Sequence, residues 1–141
     1  MMLHPILESY AASNHYGALL EMHDEIIKPG ELKYRVEVKE KHLATPIAAH
    51  GGLIASLIDA SLGVACLTLV ALEDKVVSTI ELSIKYLKPV KLGDCITAHA
   101  EVISQGKRIL VASTNVSNQN GELVAIATGT FNAYPKHKAG Y

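Results

Sequence analysis

The sequence has little cysteine and no grouping of histidines, which removes two common ways of stabilising or equipping a small domain. Its two cysteines, Cys66 and Cys95, stand apart in apolar stretches, so we expect reduced core residues rather than a disulfide framework. The seven histidines show none of the spacings that are typical of metal ligands. We therefore assign no metal site to the chain.

An excess of charge of either sign is also absent. The 13 basic and 14 acidic residues give a formal net charge of −1. The basic residues form no arm or stripe for nucleic acid and no amphipathic helix for a membrane surface. The first residues, Met-Met-Leu-His-Pro, lack the basic and apolar regions of a secretory signal. We expect a cytoplasmic protein that neither binds nucleic acid nor inserts into a membrane.

One long apolar run, residues 51–72, contains a single charged residue, Asp59. Its 22 residues are long enough to cross a bilayer, but a central aspartate opposes insertion by about 2.5–3.5 kcal/mol. The flanks, His50 and residues 73–75, offer no anchor of the positive-inside kind. Because a helix that is apolar on every side is normally enclosed by its own domain, we predict a buried central helix.

The start of this helix and its one carboxylate predict a site of chemistry. The run opens on His50-Gly51-Gly52, and glycines keep side chains away from the first turn. The unpaired backbone N–H groups there can therefore meet a ligand oxygen. Asp59 is costly in apolar surroundings unless something pairs with it or uses it.

Alternation of apolar and polar residues predicts six strands around this helix. The first two strands, residues 18–27 and 31–39, meet at Lys28-Pro29-Gly30, a combination typical of tight turns. After the helix we expect an antiparallel meander of four strands, residues 76–87, 96–102, 109–116 and 122–134. The last strand is apolar on both faces near its middle, as expected away from a sheet edge. A short helix is predicted over residues 3–12.

These elements indicate one α+β domain over residues 1–141. One helix cannot fill both faces of a six-stranded sheet, whereas a curved sheet wrapped around the helix encloses most of it. A second subunit would cover the remainder, so packing favours a dimer.

Several motifs resemble, in order and spacing, the hotdog-fold acyl-CoA thioesterases of the phenylacetate-pathway type. The resemblance runs over residues 16–134. It rests on His50-Gly51-Gly52, on Asp59 nine residues after that histidine, and on residues 60–63, 79–89, 90–94, 106–107 and 121–125. Each piece is weak alone, and together they are specific for the fold and superfamily.

The resemblance implies a long helix wrapped by an antiparallel sheet, paired into homodimers or homotetramers with active sites at the dimer interface. Asp59 matches the catalytic carboxylate, acting as general base or nucleophile. Gly52 matches the residue whose backbone N–H polarises the thioester carbonyl, and His50 is its neighbour in the site. Gly51 and Thr79 fall at substrate-contacting positions, with Thr79 facing the site across the interface.

Thr79 presents a conflict of faces. Strict alternation groups it with Glu81, Ser83 and Lys85, on the face away from the apolar positions of its strand. That face would carry a ligand if a second subunit supplied the helix end. An ordinary strand threonine is the alternative.

The chain departs from the family pattern at Ala44, six residues before His50, where many relatives carry an asparagine that positions substrate or water. Alanine cannot donate or accept through its side chain. Either His42 or Thr45 takes over this substrate-binding task, or turnover is slower, or the protein binds acyl-CoA without fast turnover.

The leading interpretation is hydrolysis of an acyl-CoA thioester with no cofactor besides water. A non-catalytic acyl-CoA-binding protein of the same fold is the alternative, although a helix-turn-helix output module has no room before Tyr16. A hotdog dehydratase is less favoured, because residues 45–47 lack the Phe-Pro-Gly-type loop of those relatives. Candidate contacts for the CoA phosphates, or simply solvated turn charges, are Lys88, Lys91, Lys107 and Arg108.

Overall fold

A computed structural model describes residues 3–141 as helices packed against one antiparallel sheet. The helices are α1 (Pro5–Ser13), α2 (His15–Leu20) and α3 (Gly51–Val70). The strands are β1 (His23–Lys28), β2 (Glu31–Glu37), β3 (Lys75–Tyr86), β4 (Cys95–Gln105), β5 (Ile109–Ser117) and β6 (Leu123–Pro135). A short 3-10 turn, Lys136–Ala139, follows β6.

Helix α3 forms the core, as its sequence predicts. Leu57, Ile58 and Leu62 have no exposed surface, and the helix packs against β2, β3, β4, β5 and β6. With the turn that follows, it is long and apolar enough to span a membrane, yet two thirds of its most apolar window (67%) is buried inside the domain. It is therefore placed as the core helix of the domain.

The turn between β1 and β2 is docked onto α3. The Gly30 backbone N–H donates to Oγ1 of Thr68 at 2.8 Å, and Gly30 has a φ of +86°, which glycine tolerates without strain. Leu32, Tyr34 and Val36 of β2 are buried as their alternation predicts. These contacts hold one end of the sheet against the helix.

The sheet order is β1-β2-β4-β5-β6-β3. The predicted meander is therefore correct for β4, β5 and β6 and wrong for β3, which pairs with β6 rather than with β4. Strand β6 lies between β5 and β3, so its interior position is confirmed. The crossing leaves β3 as one edge of the sheet and β1 as the other.

A β-bulge in β3 reverses the predicted face of Thr79. Thr79 pairs with Phe131 and Leu82 with Gly129, so three steps along β3 match two along β6. Phe131 and Gly129 point toward α3, and directly opposed residues share a face. The extra residue, Ile80, therefore turns Thr79 to the helix side, which strict alternation could not show.

The segment before β1 also differs from its prediction. Residues 18–20, expected to begin the first strand, belong to α2. The Asn14 side chain caps this helix by accepting from the Gly17 N–H at 3.1 Å, and Glu21 ends it in the left-handed region with φ 59°. A side-chain cap and a left-handed terminus outweigh the weak apolar alternation here.

Gly129 marks the point where α3 approaches the sheet most tightly. A Cβ built on it would lie 2.9 Å from both Leu62 Cδ1 and a Phe131 ring carbon, and 3.0 Å from Leu82 Cδ2. Those neighbours are packed side chains of the core. The site therefore has no room for a side chain.

We predict that Gly129→Val lowers the stability of the protein by about 1–3 kcal/mol, because it overpacks a filled core. Chemical denaturation of the purified variant measures this. The matched control is Thr128→Val, one residue earlier on the exposed face of β6, which should change stability little. Equal stability of the two variants would contradict the tight approach of α3.

Candidate functional site

The Asp59 carboxylate and the Thr79 hydroxyl meet where the middle of α3 faces strand β3. Thr79 Oγ1 donates to Asp59 Oδ1 at 2.7 Å, which fixes the orientation of the carboxylate. Asp59 is half-buried rather than enclosed, so the expected cost of a fully buried charge does not arise. Both residues belong to one chain, so their contact does not require the subunit interface that the resemblance implied for Thr79.

A cavity of about 300 Å³ opens beside this pair. One side is formed by the helix face that follows Asp59, and the other by the start of β3 and by Phe131 and Tyr134 of β6. Tyr10 and Tyr141, from opposite ends of the chain, complete the lining. The carboxylate thus stands at the border of a space that has both apolar and polar walls.

The first turn of α3 forms a second group of site residues. His50 is the N-cap, and its Nδ1 accepts the Gly52 backbone N–H at 2.7 Å. A Cβ on Gly52 would lie 2.8 Å from that nitrogen, so the cap requires glycine here. The Gly52 N–H, which is predicted to bind the substrate carbonyl, thus already has a protein acceptor. That acceptor is the ring of the exposed His50 side chain.

Gly51 differs from its neighbour. Its carbonyl accepts the Tyr86 hydroxyl at 2.9 Å, while its N–H has no acceptor among residues 3–141. A Cβ on Gly51 would lie 3.7 Å from the Tyr86 ring, an ordinary contact distance. The helix start therefore presents one capped and one uncapped N–H group.

His42 has a structural role in the loop, and its substrate-binding role stays a prediction. Its side chain is 3% exposed. Nδ1 accepts the Lys39 N–H at 2.9 Å, so Nε2 carries the proton and donates to the Leu20 carbonyl, also at 2.9 Å. The His42 carbonyl in turn accepts the His50 N–H at 2.8 Å. His42 thus holds the loop that delivers the helix start, and has no free nitrogen for a substrate.

Thr45 closes the loop before the helix. Its Oγ1 accepts the Ala48 N–H at 2.9 Å and it lies outside both cavities that adjoin α3. Ala44 is exposed, and its N–H donates to the Ala48 carbonyl. Of the two residues expected to replace the family asparagine, His42 is engaged through both nitrogens and Thr45 is engaged as an acceptor.

A second cavity, of about 310 Å³, adjoins the helix start and is lined by His50, Gly52, His42 and Tyr16 among others. It shares no lining residue with the cavity at Asp59. At about 1.5 Å per residue, the seven residues from Gly52 to Asp59 separate the two groups by about 10 Å along the axis. The N–H groups also point away from Asp59, so one carbonyl cannot meet both groups of the same chain.

Cys66 offers no nucleophile. Both cysteines are free, and burial raises the pKa of the Cys66 thiol to about 12, which keeps it protonated. Cys95 is half-buried, so the expectation of a core position holds for Cys66 alone.

The β2–β4 register creates a cluster that spacing along the chain did not reveal. Glu31, His99 and Glu101 place one potential ligand atom each within 4.8 Å of one another. His99 Nε2 lies 2.8 Å from Glu31 Oε1, and hydrogen bonding from His99 lowers the pKa of Glu31. The cluster lies on the face of the sheet opposite α3, away from Asp59.

Comparison with known families decides the relationship of the chain. The sequence model of the Thioesterase superfamily matches residues 48–125, the span that holds the helix start, Asp59 and Thr79. The chain belongs to the thioesterase superfamily. The family description, together with relatives named as acyl-CoA thioesterases, confirms the predicted class of thioester hydrolase, and the hotdog fold is confirmed as well.

Relatives and solved structures agree with this placement. Human "Acyl-coenzyme A thioesterase 13" is 31% identical over 99 residues, which is 69% of each chain. In this relative, its orangutan (Pongo abelii) counterpart and two archaeal putative esterases, the matched segment spans between 65% and 71% of the relative's own length. The PaaI protein of E. coli, from the phenylacetic acid degradation operon, has the same fold, with a TM-score of 0.83 and 23% identity over 91% of this chain and 90% of its own.

A hypothetical thioesterase protein of Streptococcus pneumoniae has been solved with coenzyme A. It superposes on this chain with a TM-score of 0.77 at 29% sequence identity. The match covers 86% of this chain and 94% of that one. The fold match therefore includes a structure that holds coenzyme A.

We predict that Gly52→Ala lowers kcat/KM for thioester hydrolysis at least tenfold, because an added methyl group displaces His50 and crowds the N–H groups, and one lost oxyanion donor costs about 10²–10³ in kcat. Gly51→Ala is the steric comparison: it adds the same methyl group at the neighbouring position, also expected to contact substrate, but that group meets nothing closer than 3.7 Å. Steady-state kinetics of both variants test this. Equal activities would show that the tight fit at Gly52 has no bearing on the reaction.

Proposed function

We propose that this protein hydrolyses acyl-CoA thioesters, with Asp59 as the catalytic carboxylate. The observation that carries the proposal is the Thr79–Asp59 hydrogen bond at the border of a cavity with an apolar inner side. A carboxylate in a fixed orientation beside a space for an acyl group is what attack on a thioester requires. The names of the human relative and of the coenzyme A-bound neighbour support acyl-CoA as the substrate class.

In this proposal the thioester carbonyl lies at the first turn of α3 of the partner subunit. The Gly52 N–H there donates to the carbonyl oxygen after the exposed His50 ring turns aside, at a cost of about 1 kcal/mol for one hydrogen bond. As a general base, Asp59 takes a proton from the attacking water, the carbon–sulfur bond breaks, the thiolate leaves with that proton, and the water oxygen enters the acid. As a nucleophile, Asp59 attacks the carbonyl carbon, and the thiolate leaves as an acyl–Asp59 anhydride forms. Water then cleaves this anhydride at the Asp59 carbonyl, so its oxygen stays on Asp59, the acid leaves with an Asp59 oxygen, and the thiolate takes up a proton from that water.

A homodimer follows from the separation of the two groups on α3 and from the edges of the sheet. Strand β1 is six residues long and rich in charged side chains, which protects an edge from pairing. Strand β3 is twelve residues long and exposes Ile80 (56%) and Tyr86 (54%). We infer that β3 pairs with β3 of a second copy, which would bring Asp59 of one subunit toward the helix start of the other.

We predict that Asp59→Asn remains folded and loses about 10²–10⁴ of the rate, the usual contribution of a general base. Thr79→Val, which keeps the shape and removes the donor, should lower kcat by roughly tenfold to a hundredfold, as expected for about 1.5–3 kcal/mol from a hydrogen bond to a charged group. Thr128→Val, on the outer face of β6, is the control. A panel of acyl-CoAs with detection of free thiol measures all three.

Full activity of a folded Asp59→Asn protein would remove this carboxylate from the mechanism. Tight binding of acyl-CoA by the wild-type protein without release of thiol would instead favour the acyl-CoA-binding alternative, which the alanine at position 44 supports. Single turnover in ¹⁸O-labelled water separates the two roles of Asp59. Label enters the product directly for a general base and enters Asp59 for a nucleophile.

We predict that the wild-type protein is a dimer or a dimer of dimers and that Ile80→Lys weakens this assembly, because it places a charge at the proposed β3 contact. Ile103→Lys is a close control: Ile103 is equally exposed (59%) and also lies at a bulge, but on the interior strand β4. Light scattering at micromolar concentration measures the mass. A wild-type mass near 15.1 kDa would contradict the dimer.

A further inference from the structure

The cavity beside Asp59 is bordered on one side by helix α1 and by the last turn of the chain. Tyr10 comes from α1, and Ala139 and Tyr141 come from the last turn. All three lie outside the residues 48–125 that match the family. The part of the cavity wall that these segments form therefore lies outside the span matched by the family model.

Contacts between the ends hold this wall in place. The Ser13 hydroxyl at the end of α1 lies 3.3 Å from the Tyr141 hydroxyl. Ile6, on the same helix, is 3% exposed and anchors α1 in the core. Lys136 binds the turn before β3, with its N–H on the Asp74 carbonyl at 3.1 Å and its Nζ on the Asp74 carboxylate at 3.1 Å. Both segments are thus fastened to the domain next to the cavity.

Tyr10 presents a neutral phenol to the cavity. Burial is the main cause that raises the pKa of Tyr10 well above its usual range, and the charges of Tyr34 and Asp59 raise it further. The Tyr10 hydroxyl has no hydrogen-bond partner among residues 3–141. Every fully buried side-chain nitrogen or oxygen atom in these residues does have a partner, so the Tyr10 oxygen is not fully buried. The hydroxyl is therefore accessible, and the ring forms an uncharged wall close to Asp59.

The inner side of the cavity is apolar and leaves space at Gly63. Val64, Leu67 and Val76 line it, and a Cβ on Gly63 would approach the Phe131 ring to 3.4 Å, an ordinary contact. A water molecule fills about 30 Å³ of liquid, and a methylene group is of similar size, so about 300 Å³ holds on the order of ten such groups. The space suits an apolar acyl group of limited length.

We propose that Tyr10 and Tyr141 are specificity-determining residues that wall the acyl-binding cavity and limit the size of the acyl group the enzyme hydrolyses. This inference rests on the proposed thioesterase function. In this proposal the acyl group binds in the cavity at Asp59. The segments that carry Tyr10 and Tyr141 determine which acyl groups fit.

The test compares kcat/KM over a series of straight-chain acyl-CoAs from four to sixteen carbons. We expect wild-type activity to fall steeply beyond about ten carbons. Tyr10→Ala and Tyr141→Ala should each move the optimum to longer chains and raise the ratio of long-chain to short-chain kcat/KM at least tenfold. Gly63→Ala should move the optimum the other way. The control is Leu72→Ala, an exposed position (70%) remote from the cavity lining, which should leave the profile unchanged.

Tyr10→Phe removes the hydroxyl and keeps the ring, so it separates the roles of these two groups. It also provides a folded variant if Tyr10→Ala does not fold. A wall predicts a wild-type profile for the phenylalanine variant. If the profiles of Tyr10→Ala, Tyr141→Ala and Gly63→Ala all equal that of an active wild-type enzyme, the proposal is wrong while the thioesterase function stands. If the wild-type protein hydrolyses no member of the series, the proposed function fails instead.

Discussion

The hydrogen bond from Thr79 to Asp59 is the interaction on which the arrangement of the site depends. It joins the middle of the core helix to an edge strand. It forms only because the bulge at Ile80 turns Thr79 toward the helix, and because the helix lies close enough to the sheet for a 2.7 Å contact. The absence of a side chain at Gly129 permits that close approach on the neighbouring strand. The bulge in β3 and the close packing at Gly129 of β6 therefore both contribute to the Thr79–Asp59 hydrogen bond.

The rigidity of α3 imposes the second constraint. One unbroken helix carries both the capped N-terminus and the carboxylate, so their separation of about 10 Å along the axis is fixed by helix geometry. No side-chain rotation within one chain brings the first-turn N–H groups and Asp59 onto a single carbonyl. The long, partly apolar edge of β3 offers the surface on which a second copy would supply the missing half. In this account oligomerisation is part of the catalytic machinery.

Regular patterns in the sequence predicted the core and failed where one residue breaks a pattern. The apolar run and the alternating strands correctly indicated α3 and the buried face of β2. The face of Thr79 was mispredicted, because a bulge adds a residue with no local signal. The backbone contacts of His42 were missed for a different reason. The sequence of a loop is the same whether the nitrogens of its histidine contact a substrate or backbone groups. Here they contact two backbone groups, which the fold brings from residues 20 and 39. Pairing of β3 with β6 depends on contacts far apart in sequence, which alternation alone does not encode.

A complementation experiment tests the two-subunit site most directly. Asp59→Asn and Gly52→Ala chains are co-expressed with different tags, and the mixed dimer is purified and assayed against each parent. In a mixed dimer, one site combines both substitutions and the other combines the intact Asp59 of one chain with the intact helix start of its partner. The account predicts that the mixed dimer recovers roughly half of the wild-type activity, since one of its two sites is intact. Activity no higher than the average of the two parents would contradict it, because a site contained within one chain is damaged in both halves of the mixed dimer.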